Sequence, residues 1–282
     1  MKFIFLSFLL IPSLCISQSD YIGFIKNKVT NEPIPFATVG LMRENRGTNA
    51  DEKGAFQIKI FSHGVDTLLI SSVGYDFVKM ATNNLPTNAT YYLEPRTISL
   101  NEVIVSNKFG HHQSLNDFTT CGMTAYSTEG YITQIAQLLT SEISDALLSE
   151  VSVCREGGNA RFRFRIYDVD PVTGGPSSDL ADTIIEVTTN DRHVHINVEK
   201  YRIHIPAQRF FVAIEWLRIP MNEIEVTRRL FGRTEKDIMY IPFVTMRKKK
   251  NNPSEIWIQD YTGKWKKKFP EDRMLISAEI KY

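Results

Sequence analysis

Cysteine is scarce in this chain. Among 282 residues there are three, Cys15, Cys121 and Cys154. None sits in a Cys-x-x-Cys pair, so the spacing of zinc and thioredoxin-type motifs is missing. Charge of one sign is missing as well. Lysine and arginine number 33 against 32 aspartates and glutamates, without the basic field of a dedicated nucleic-acid binder. Beyond the first twenty residues no apolar run approaches the ~20 residues of a membrane-crossing helix, so no transmembrane segment is expected in the mature chain. No Gly-x-Ser-x-Gly elbow occurs, and neither Cys121 nor Cys154 has an evident catalytic partner in sequence. Helical periodicity of useful length is also absent, save an ambiguous stretch from Tyr131 to Leu148 that fits a period of two about as well.

What is present begins at the N-terminus. Met1-Lys2 precedes a nearly unbroken apolar run, Phe3 to Ile16, and polar Gln18-Ser19-Asp20 follows. That is the pattern of a signal peptide cut after Ser17. Leu14 before Cys15 is too large for a lipoprotein signal. We therefore expect residues 1–17 to be removed and the protein to be exported, whether periplasmic, outer-membrane-associated or secreted. Cys121 and Cys154 then allow at most one bridge, and a disulfide and a free buried pair both fit.

From Tyr21 to Leu93 short apolar alternations are separated by turn residues. Ala37, Val39 and Leu41 alternate, as do Phe56, Ile58 and Ile60, and Leu68 and Ile70. In Asp51-Glu52-Lys53-Gly54 the aspartate is placed to bond the turn backbone and the glycine to take a positive φ. Strand–turn spacing of this kind indicates a small sandwich or barrel.

Four blocks then follow in order. They are Ile22-Gly23-x-Ile25; Asn31-Glu32-Pro33-Ile34-Pro35-Phe36-Ala37-Thr38-Val39; Gly47-Thr48-x-x-Asp51-Glu52-x-Gly54-x-Phe56; and Leu68-x-Ile70-Ser71-x-x-Gly74-Tyr75. Together they resemble the carboxypeptidase-like regulatory domain over residues 20–95. The resemblance implies a transthyretin-like seven-stranded sandwich, common in exported proteins of Gram-negative bacteria and without catalytic residues of its own. The His-x-x-Glu of the associated zinc peptidase does not occur. Leu100 to Ser106 resembles the segment that joins this domain to TonB-dependent transporters, but too little chain follows for such a barrel. We read that segment as an edge strand and the polar stretch Lys108 to Thr120 as a linker, so residues 96–120 connect two domains.

Residues 121–282 are also mainly strands: Arg161–Tyr167, Thr183–Thr188, Val194–Val198, Phe210–Leu217, Glu255–Gln259 and Met274–Ile280. The series Phe162 to Asp170, a Gly-Gly-Pro loop, Phe211 to Trp216 and Gly263-Lys264-Trp265 resembles the region that often follows the regulatory domain. A second, jelly-roll-like sandwich is expected. The fold class is thus all-β, with two sandwiches, separate cores and few contacts across the linker.

Four groups are candidate sites. His193, His195 and Glu199 have the spacing of a cupin metal triad. The flanking glycines are replaced by Val187 and Pro206 and no second motif exists, so no metal is expected. Arg161, Arg163 and Arg165 share one face of a strand and could grip carboxylates or sugar hydroxyls; we read them instead as its solvated side. Asp168, Asp170 and Asp179 bracket a loop but lack a calcium-loop order. Arg247-Lys248-Lys249-Lys250 and the lysines around Trp265 flank two tryptophans, Trp257 and Trp265, a pattern that could serve an anionic polymer; solvated hairpin ends fit better. We expect no cofactor and no catalysis. The leading expectation is a binding or assembly protein with the first domain as spacer or docking module. Another envelope protein or a glycan is the candidate partner. The alternative is a carbohydrate-binding second sandwich; a hydrolase has least support.

Overall fold

The computed structural model describes residues 18–61, 64–86, 88–96, 110–126, 131–230, 233–248, 255–268 and 272–282. The expected signal segment and the Leu100 to Ser106 strand lie outside them. The described residues form an all-β chain without an α-helix. No helix among them is long and apolar enough to cross a membrane.

The first unit has seven strands: β1 (Gln18–Asn27), β2 (Thr38–Leu41), β3 (Arg46–Asn49), β4 (Ala55–Phe61), β5 (Thr67–Ser71), β6 (Val78–Ala81) and β7 (Ala89–Leu93). They build one sheet in the order β4-β1-β7 and another in the order β3-β2-β5-β6. The period-two residues read from the sequence point inward. Ile25, Val39, Leu41, Phe56, Ile58, Leu68 and Ile70 belong to one buried cluster. The turn after β3 is closed as its chemistry predicts. Asp51 Oδ1 accepts the Lys53 and Ala55 N–H groups at 2.8 Å each, and Gly54 takes φ of 73°.

The second unit holds β8 (His112–Leu115), β9 (Thr124–Tyr126), β10 (Ile132–Thr140), β11 (Ala146–Glu156), β12 (Ala160–Val169), β13 (Pro176–Asp179), β14 (Ile185–Thr189), β15 (His193–Asn197) and β16 (His204–Ile205). It continues with β17 (Arg209–Trp216), β18 (Glu223–Leu230), β19 (Arg233–Tyr240), β20 (Phe243–Lys248), β21 (Ile256–Asp260), β22 (Trp265–Lys268), β23 (Asp272–Met274) and β24 (Ile276–Lys281). A seven-stranded sheet runs β13-β12-β17-β10-β21-β22 with β14 on β12. An eight-stranded sheet runs β23-β20-β11-β24-β8, with β9, β15 and β16 attached. The expected second sandwich is therefore present. Ile135, Val151, Phe162, Phe164, Val212, Ile214 and Ile276 share its core between the two sheets. The ambiguous stretch 131–148 resolves into β10 and the start of β11, because both faces of β10 are covered and its strand partners satisfy its backbone.

Two expectations about the connection are corrected. The segment 111–116 is not linker. Strand β8 pairs with β24, Leu115 enters the core, and Asn116 Nδ2 donates to the Met274 and Ile276 carbonyls at 3.1 and 2.6 Å. Nor are contacts between the sandwiches few. Phe36, at φ of 57°, turns its ring out of its own domain to pack with Leu217 and Ile219. Gly40 and Gly47 face each other across β2 and β3 and leave a notch that seats Tyr261. A Cβ on Gly47 would lie 2.4 Å from the Tyr261 ring, and one on Gly40 2.8 Å from the Tyr261 carbonyl oxygen. Asn45 and Asn49 side-chain oxygens accept the N–H groups of Tyr261 and Arg218 at 3.2 and 2.9 Å.

Candidate functional site

Strand β12 alternates strictly. Phe162, Phe164 and Ile166 enter the core, which sends Arg161, Arg163, Arg165 and Tyr167 to the outer face of the seven-stranded sheet. That face is not the solvated side expected from the pattern, because the first sandwich docks on it. Arg163 is 1% exposed, and Arg165 keeps 13% of its side chain open. Burying three guanidinium groups requires partners, and the neighbouring strands supply them. Glu186 of β14 takes Arg161 at 2.7 Å and Arg163 at 2.9 Å. Asp179 pairs with Arg165, and Glu215 of β17 lies 3.0 Å from it. Arg161 also reaches Glu52 of the first sandwich at 2.7 Å and lies 4.4 Å from the centre of the Phe36 ring. Burial works against the Arg165 charge, but Tyr167, Asp179 and Glu215 outweigh it and hold its pKa well above the ordinary value. Burial pushes the Tyr167 phenol up.

Beside this network the two sandwiches leave an open cleft. Its floor is the outer sheet face: Gln134, Arg165, Tyr167, Glu215 and Gln259. One wall comes from the first sandwich (Thr38, Ser71, Ser72, Arg96), the other from Ser177, Ser178 and Asp179 together with Asp260 and Tyr261. The inner lobe holds about 230 Å³ and an adjoining lobe, edged by Tyr75 and Phe77, about 360 Å³. The floor is preorganised. Tyr167 donates to Gln134 at 2.8 Å, and Gln134 donates to Gln259 at 2.9 Å. Lys266 and Thr262 hold Asp260. Burial would raise the Asp260 carboxyl, but these bonds and the lysine charge leave it below the usual aspartate value.

The remaining candidates do not converge. His193 and His195 share a face, with ring centres 4.0 Å apart, but His195 is bonded to Glu150 and Ser152 at 2.8 and 2.9 Å. Glu199 leaves them to pair with Lys281. No cluster of three or more metal-ligating side chains occurs among the described residues. Asp170 accepts the Val172 and Thr173 N–H groups in a local turn, while Asp179 belongs to Arg165. Trp257 and Trp265 are partly buried against Phe211 and Tyr167 and form no open flat patch. Lys266, Lys267 and Lys268 are exposed, whereas Lys249 and Lys250 lie outside the described residues. Cys121 and Cys154 form a disulfide. The sequence carried one unused signal for the cleft. Glu215 is the sole charged residue in Phe210–Leu217, and a buried acid there demands a cation. The amides and serines carry no such mark.

Comparison with known proteins agrees with the first sandwich. Residues 21–105 match the CarboxypepD_reg-like domain family. No curated protein matches the chain. Among solved structures, the cysteine protease and lectin-like domains of Cwp84, a surface-layer-associated protein of Clostridium difficile, align at 14% identity and a TM-score of 0.37. That alignment covers 54% of this chain and 32% of the other, so the chain spans about a third of that length. BcpA, the major pilin subunit of Bacillus cereus, aligns at 8% identity and a TM-score of 0.23, over 92% of this chain and 69% of the other. Neither likeness is high enough to inform function. The blocks read from the sequence, the seven-stranded sandwich and the family match coincide, and residues 21–105 are a carboxypeptidase-regulatory-like domain.

Proposed function

We propose that this chain is an exported, non-catalytic binding protein whose ligand seat is the cleft between its two docked sandwiches. One observation carries the reading: residues of both units line a single polar cleft beside an interface closed by Tyr261 in its glycine notch. The regulatory-like domain then acts as a wall of the site rather than as a spacer. A spacer gains nothing from burying an arginine row. The Cys121–Cys154 disulfide suits an oxidising compartment outside the cytoplasm. The charged groups around the cleft are engaged with one another, which suits a preorganised receptor better than acid–base chemistry.

A fragment screen by NMR tests the site without assuming a ligand. Small polar fragments should shift the amide signals of Gln134, Ser178 and Gln259. In the Gly40→Leu variant, whose new side chain meets Tyr261 and should part the sandwiches, those shifts should vanish. Shifts that fall elsewhere, or that survive unchanged in a Gly40→Leu protein whose sandwiches scattering shows to have parted, contradict the cleft. A reaction product found by mass spectrometry on incubation with any bound compound contradicts the non-catalytic part.

A further inference from the structure

We infer that the cleft takes a neutral saccharide; the inference rests on the cleft being the ligand seat. Charge comes first. Two guanidinium groups, Arg96 and Arg165, face three carboxylates, Asp179, Glu215 and Asp260. Each already has a partner. Arg165 holds Asp179 and Glu215, Lys266 holds Asp260, and Arg96 lies 3.2 Å from Asp76. An ionic ligand at Arg165, Asp179, Glu215 or Asp260 would have to displace a pair with a buried member and strand that charge; the Arg96–Asp76 pair is exposed on both sides and opens at little cost. An acidic sugar would also meet an excess of carboxylates.

A neutral polyol meets neither obstacle. Serines line both walls, Ser71 and Ser72 on one sandwich and Ser177 and Ser178 on the other. Ser72 Oγ lies beneath the cleft surface without a hydrogen-bond partner, and a turn of its side chain brings it to a ligand. Such an atom is costly until a ligand satisfies it. Hydroxyls both donate and accept, so they match sugar hydroxyls in several orientations, and paired carboxylates keep lone pairs free to accept from them. At the mouth stands Phe77, 57% exposed, beside Tyr75 in the outer lobe. A lone exposed phenylalanine means little by itself. Lys79 Nζ lies 4.9 Å from the centre of this ring, so the face turned away from that lysine is the one against which the C–H side of a pyranose packs, next to the hydroxyls that take its edge.

The test uses the full mature chain on an array with three arms: neutral hexose and pentose oligosaccharides, uronate-containing oligosaccharides, and short peptides. Hits are measured by calorimetry with Ser178→Trp, which fills the cleft from an exposed position, and with Phe77→Ala. Melting curves confirm that both variants fold. The expected result is a neutral oligosaccharide whose affinity falls about tenfold or more in each variant, a loss of ~1.4 kcal/mol or greater. Only uronates or peptides binding, with loss in Ser178→Trp, overturns the ligand class and leaves the cleft standing. A neutral saccharide indifferent to Ser178→Trp overturns both. No hit in any arm overturns the saccharide, while the fragment screen judges the cleft separately.

Discussion

Arg163 looks from the sequence like one tooth of a solvated comb, Arg161, Arg163 and Arg165 alternating with Phe162 and Phe164. In the folded chain it is the most buried of the three, with Glu186 and the Pro35 carbonyl as partners. Replacing it by leucine strands part of the Glu186 charge under the first sandwich. Urea unfolding of Arg163→Leu should show a loss of about 3 kcal/mol. Arg161, 27% exposed at its side chain, should cost under ~1 kcal/mol on the same change. Equal, small effects for both would return the row to solvent. His193 carries a pH prediction. Burial first, and then the adjacent His195, lower its pKa below the ordinary 6.5, while Glu150 and Asp117 work the other way. The unfolded chain thus takes up this proton more readily than the folded one. The stability tied to His193 is complete above pH 6.5 and is lost as pH falls through that value toward the lower folded pKa. His193→Gln should therefore narrow the Tm difference between pH about 7.5 and about 5. An unchanged difference would mean that the fold does not hold this ring neutral.

At the scale of elements, β8 is where polarity misled. Residues 108–120 read as linker because histidine, glutamine, serine and asparagine outnumber apolar residues there. One edge strand needs only one inward side chain, and Leu115 supplies it. The rest is satisfied from the side: His112 meets Glu279 at 2.8 Å, and Ser141 donates to Gln113 at 2.8 Å. Leu115→Ala should lower stability by about 2–4 kcal/mol in denaturant unfolding, whereas a true linker residue would give no change. The disulfide ties the segment before β9 to β11 across 33 residues. Closing a loop of that length is worth roughly 3–4 kcal/mol through the unfolded chain. Reduction should shift the urea midpoint accordingly, and Cys121→Ala/Cys154→Ala should reproduce the shift.

For the whole molecule, the decisive feature is that two separate cores share one interface. Each sandwich has its own apolar cluster, so each can unfold separately once the interface fails. The glycine notch is the place to break it. Thermal unfolding of Gly40→Leu should split into two transitions, and small-angle scattering should show a larger radius of gyration than the parent chain. Any new side chain at that position meets the second sandwich rather than its own core. A single transition with unchanged radius would mean that the docking tolerates the leucine and does not depend on the notch.

The sequence by itself determined the strands and the identity of the first domain. Period-two alternation and turn chemistry are local: Val39, Leu41, Ile58 and Ile70 face inward whatever lies beyond the sandwich, and Asp51 and Gly54 close their turn with their own backbone. What lies on the outer face of a sheet is not local. The alternation of β12 says that the arginines oppose Phe162 and Phe164, and it says nothing of what covers them. Only the tertiary structure placed Phe36 and Glu186 there and seated Tyr261 in its glycine notch, turning an apparently wet face into a charge-paired interface and leaving a polar cleft beside it. Burial of an outer face depends on a second body arriving from distant chain, and no short-range pattern encodes that arrival.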